Sequence, residues 1–68
     1  MAADTLEHLD DEALRELLKT YRANLRHLEL QKAQYGALVP LHIVNQIANT
    51  EKEIHQIEAE LQQRGAAP

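Results

Sequence analysis

The sequence predicts an all-α protein, an antiparallel two-helix hairpin of coiled-coil type with a short helical turn ahead of it. Three observations carry that expectation. Eleven Leu and ten Ala stand against four Ile and two Val, a balance that favours helix over strand. Apolar residues recur at alternating steps of four and three in two long runs. One glycine and one proline, Gly36 and Pro40, punctuate the chain between those runs.

The first helix is expected over about residues 10–35. Asp10 suits the N-cap, and Asp11 and Glu12 place negative charge where the helix dipole favours it. Leu9 before the cap and Leu14 inside it fit a hydrophobic staple. The stripe of this helix is Leu14, Leu18, Tyr21, Leu25, Leu28 and Tyr35, with Lys32 at its one polar step. Residues 5–9 read as a short extra turn that Leu6 and Leu9 fold onto the open end of the hairpin.

Gly36 is expected to end the first helix, since glycine easily takes the left-handed conformation at C′. Pro40 reads as the first residue of the next, where a missing N–H costs nothing, and Leu38 with Ile43 fits a second staple. A loop of residues 36–39 is short enough to require antiparallel neighbours. The second helix is expected over about 40–64, with Ile43, Ile47, Thr50, Ile54, Ile57 and Leu61 as its stripe. The antiparallel register sets Leu28 against Thr50, Leu25 against Ile54, Tyr21 against Ile57 and Leu18 against Leu61. Thr50 is the polar member of this seam, and its hydroxyl is expected to bond back to the preceding turn. Arg64 suits the C-terminal dipole, and Gly65 followed by Pro68 marks the stop.

With 68 residues the chain is read as a single domain spanning 1–68. A core of this size seldom supplies more than about 3–5 kcal/mol, and small chains commonly lean on a disulfide, a metal or a partner. There is no cysteine, which excludes disulfides, Cys-bound zinc and thiol chemistry. The expected staple is therefore another protein chain, with two hairpins making a four-helix arrangement. Leu17, Ala23, Leu30, Leu41, Val44 and Ala48 fall off the seam and are the candidate partner interface.

No catalysis, cofactor or metal site is expected. His8, His27, His42 and His55 include no pair four apart and no Glu-x-x-His, and serine is absent. The two glycines, Gly36 and Gly65, form no phosphate loop. The net charge of −4 comes from seven basic and eleven acidic residues, unevenly placed. Residues 1–14 carry −5, residues 15–35 carry +3 and residues 36–68 carry −2. Within the middle block Arg15, Lys19, Arg22 and Arg26 form a basic strip on helix one. Its plainer reading is a solvated face that meets acidic residues; its alternative is RNA binding by a hairpin dimer. A net acidic chain with no aromatic beside the strip favours the plainer one. The N-terminus has no apolar core segment and no run approaches a membrane span, so a cytoplasmic location is expected.

Residues 17–36, Leu-Leu-Lys-Thr-Tyr-Arg-Ala-Asn-Leu-Arg-His-Leu-Glu-Leu-Gln-Lys-Ala-Gln-Tyr-Gly, lead into Val39-Pro40-Leu41-His42-Ile43 and Asn45-Gln46-Ile47. They close with Thr50-Glu51-Lys52-Glu53-Ile54 and Ile57-Glu58-Ala59-Glu60-Leu61. Over roughly residues 10–62 this resembles the small helical effector-associated and death-like modules of bacterial signalling and defence proteins. Their neighbours include caspase-like peptidases, TIR domains and STAND-type NTPases. The Tyr-Gly turn, the Val-Pro-x-His start and the Glu-Ile…Glu-Leu ending are the most distinctive parts. The resemblance implies an adaptor that assembles with itself, or with an effector or NTPase protein, and performs no chemistry. It carries over no catalytic residue, and the six-helix death fold is too large for this chain.

Overall fold

A computed structural model describes residues 6–66. Thr5 of the expected N-terminal turn and Pro68 of the expected stop lie outside the described residues. Two helices pack against each other: α1 over Asp11–Tyr35 and α2 over Leu41–Gln63. The molecule is a rod of 41 × 19 × 14 Å, as expected for helices of 23 and 25 residues rising about 1.5 Å per residue.

Local chemistry fixes each boundary. The Asp10 carboxylate accepts from the Ala13 N–H at 2.7 Å, and the Asp10 carbonyl accepts from Leu14 at 3.0 Å. Gly36 has φ 63° and ψ −126°, and the Leu38 N–H donates to the Tyr35 carbonyl at 3.3 Å. Those values match the first central residue of a type II′ turn, a position glycine dominates, and not the left-handed C′ conformation expected; the φ is shared but the ψ turns the chain into the loop. Pro40 lies one step outside the helix, at the N-cap with ψ 143°, and not at the first helical position. Its carbonyl accepts from Ile43 and Val44 at 3.1 and 3.4 Å. The loop thus runs one residue longer than expected. At the other end Gly65 has φ 75°, its N–H donating to Gln62 at 3.0 Å and that of Ala66 to Leu61 at 2.9 Å. That pair of bonds is a Schellman stop, and Ala66 packs on the core as the motif requires.

The core lies at the end where the chain enters and leaves. Leu6, Leu14, Leu18, Ile54, Ile57 and Leu61 form it, with Leu9, Leu17, Tyr21, Leu25 and Ala66 packed against it. Leu6 and Glu7 close a helical turn, and the Leu9 N–H donates to the Leu6 carbonyl at 3.1 Å. The expected extra turn therefore exists as far as it is described, and Leu6 seals the open end of the hairpin.

Towards the loop the seam thins. Ile43 is buried, and Leu28, Ile47 and Thr50 are half-buried. Thr50 bonds back to the Gln46 carbonyl at 2.8 Å, as its position on the seam predicts. Gln31 is half-buried, while Lys32 is exposed. Tyr35 departs from the expected seam and is 50% exposed. It stands on the last turn of α1, opposite only the first turn of α2, and a ring with a polar tip is stable in water there.

Candidate functional site

Among the described residues no group of three or more His, Cys, Asp or Glu side chains is placed to hold a metal ion. His8, His27, His42 and His55 are exposed and scattered. His55 approaches Glu58, with Nδ1 3.6 Å from Oε1. Two shallow grooves flank the thin half of the seam. One, of about 500 Å³, is lined by Glu29, Lys32, Ala33, Gly36, Ile47 and Glu51. The other, of about 330 Å³, is lined by Asn24, His27, Leu28, Gln46, Asn49 and Thr50. Both are open to solvent and lack the enclosure that buries most of a small ligand.

The basic strip is partly spent within the chain. The Arg22 guanidinium donates to the Glu58 carboxylate of α2 at 2.8 Å, so one member of the strip meets an acid of the opposite helix. Lys19 and Arg26 are exposed.

Arg64 has a role its position in the sequence does not disclose. Its Nε donates to Glu60 at 2.9 Å, and its Nη1 reaches Asp11 at 3.2 Å and the Leu9 carbonyl at 2.5 Å. Its Nη2 donates to the carbonyls of Leu6 and Glu7 at 2.9 and 3.3 Å. One planar fork thereby satisfies the carbonyls that end the N-terminal turn and ties that turn to the end of α2. The hydrogen bond to Glu60 is the main reason the Arg64 pKa lies above its ordinary value; burial opposes the rise and Asp11 adds to it. The side chain is a structural clip.

The exposed apolar residues are the remaining candidate site. Leu38 is 85% exposed, Leu41 73%, Leu30 58% and Val44 41%. Of the six predicted partner residues, Ala23, Leu30, Leu41, Val44 and Ala48 are exposed. Leu17, the sixth, is half-buried and packs against the core cluster. The set also does not form one face. Leu30 lies about 160° around α1 from Leu14, and Leu41 about 160° around α2 from Ile43. With both seams facing inward, these residues point to opposite sides of the rod.

Leu38 and Tyr35 join Leu41 and Val44 at the loop end instead. The expected staple of Leu38 with Ile43 is not formed as a buried contact, since Leu38 is 85% exposed while Ile43 is buried. The signal for this surface is negative and easily passed over: residues 33–50 contain no Asp, Glu, Lys or Arg. All the charge of the chain lies on either side of that stretch, which comprises the loop and the facing turns of both helices. No helix among the described residues is long and apolar enough to cross a membrane. No family model, curated protein or solved structure matches this chain.

Proposed function

We propose that this chain is a self-associating protein-interaction module, an adaptor without chemistry of its own, of the kind used in bacterial signalling and defence. One observation carries the reading. Five large apolar side chains, Leu30, Tyr35, Leu38, Leu41 and Val44, face water on a chain whose main core cluster holds six buried residues. Single exposed apolar residues such as Leu30 are ordinary, but four of the five, Tyr35, Leu38, Leu41 and Val44, gather at the loop end of a small chain and mark a contact surface. Two hairpins joined through such a surface bring four helices into one assembly and offer the rest of each hairpin, in duplicate, to an effector or NTPase protein. The bacterial setting and those partners rest on the resemblance of residues 10–62. The alternative, RNA held by Arg15, Lys19, Arg22 and Arg26, is weakened by the engagement of Arg22 with Glu58.

The test is the mass of the chain by light scattering from micromolar to millimolar concentration. The expected result is a mass that climbs from one chain to a defined multiple. A single-chain mass throughout the series overturns the reading.

A further inference from the structure

We propose that the uncharged tip of the hairpin, built on Tyr35, Leu38, Leu41 and Val44, is where two copies of this chain meet across a twofold axis, tip to tip. The inference rests on the reading of the chain as self-associating and assigns the surface that does it.

The first argument is the unequal finish of the two ends. The entry end is closed: Leu6 seals the core, Arg64 caps the turn that carries it, and Ala66 covers the last turn of α2. At the tip, Ile43 is the only buried residue between 33 and 50. Leu38 and Leu41 are the two most exposed of the large apolar side chains. Apolar area still available for burial is therefore concentrated at one end of the rod.

The second argument is charge. In a twofold contact each residue near the axis meets its own copy, so a charged group there meets its own sign. Residues 33–50 carry no Asp, Glu, Lys or Arg, and this surface meets itself without that penalty. The competing face around Leu30 does not. Arg26 and His27 are its neighbours on α1 at four and three residues, and pairing that face with itself sets guanidinium against guanidinium. The net charge of −4 also favours the tip. Tip-to-tip contact sends the charged ends outward along rods 41 Å long, far beyond the screening length of about 8 Å at physiological salt.

The third argument is area. A dimer of standard size takes about 800 Å² from each partner. Residues 33–50 are eighteen of 68, and a proportionate share of the 4934 Å² exposed by the chain is roughly 1,300 Å² around all sides of the tip; the half that can face one partner is about 650 Å² per copy, which sets the contact at the small end of the dimer range. His42, in the same stretch and exposed, supplies a polar group for the rim.

The experiment is sedimentation velocity on the 68-residue chain and two variants, with far-UV circular dichroism as the check on folding. Leu41→Glu is expected to weaken self-association at least tenfold with helix content unchanged, and Leu30→Glu to alter it less than threefold. A cysteine-free chain permits a second reading. Ala37→Cys is expected to form a disulfide with its own copy under mild oxidation, and Ala23→Cys is not. Association lost with Leu30→Glu but kept with Leu41→Glu overturns the tip assignment and leaves the self-associating reading intact. A wild-type chain that stays single overturns both. A single chain that floats with phosphatidylcholine vesicles, and fails to do so as Leu41→Glu, reassigns the tip to lipid and likewise overturns the proposal.

Discussion

Replacing Ile57 with alanine tests whether the six-residue core is what holds the hairpin. Ile57 is fully buried within that cluster. The change removes three carbons, worth about 2.4 kcal/mol at roughly 0.8 kcal/mol each. The cavity left behind brings the expected cost to about 2–5 kcal/mol. A core of this size supplies only about 3–5 kcal/mol in all. With a urea slope near 1 kcal/mol per molar for a small chain, the midpoint should fall by at least about 2 M. Ile57→Val should cost about 0.5–1.5 kcal/mol and move the midpoint by about 1 M. Leu41→Ala, on a side chain 73% exposed, should stay within about 0.5 kcal/mol. The assay is urea unfolding followed by circular dichroism, at a dilution where the mass is that of one chain, because association would add a concentration-dependent term. Equal midpoints for Ile57→Ala and Leu41→Ala would refute the placement of the core.

Two further predictions concern the ends of the helices. Arg64→Lys keeps the charge but loses the planar fork, so the amides of residues 6–9 should exchange faster with solvent while those of mid-α1 hold, which hydrogen exchange can read. Because the Arg64 pKa is raised, its charge-dependent contribution is present below the ordinary arginine value and fades only above it. The same protection should therefore persist from neutral to mildly alkaline pH. Gly36→Asn should destabilise more than Gly65→Asn in thermal melts. Both glycines have positive φ and open space where a Cβ would go, but the ψ of −126° at Gly36 lies outside the left-handed helical region that asparagine tolerates. Equal losses would mean that turn geometry does not decide the cost.

The hairpin is legible in the sequence because its signals are local. Asp10, Gly36 and Gly65 each act within four residues of themselves, and the alternation of fours and threes finds the buried members of both stripes. The same locality explains the departures. Pro40 differs by one place because an extended proline suits the N-cap as well as the first helical turn. Tyr35 keeps the period of the stripe, but the period cannot disclose that the partner helix ends opposite it. Leu17 flanks the stripe, and the period alone does not tell that it packs against the core cluster. Arg64 was the least legible. The carbonyls it holds lie 55 to 58 residues away in the chain, and backbone acceptors leave no trace in residue identity. Leu41 and Val44 of the tip are legible as apolar residues off the seam, but what joins them to Tyr35 and Leu38 shows only as missing charge, a pattern that a search for motifs passes over.

The clip formed by Arg64 also sets how the hairpin can be joined to anything else. Leu6 and Ala66 belong to one cluster, so polypeptide attached on either side departs from neighbouring points on the same pole of the rod. The segment is thus shaped like a cassette: grafted into a surface loop of a host protein, it would stand upright from the two splice points and carry its uncharged pole outward, clear of the host.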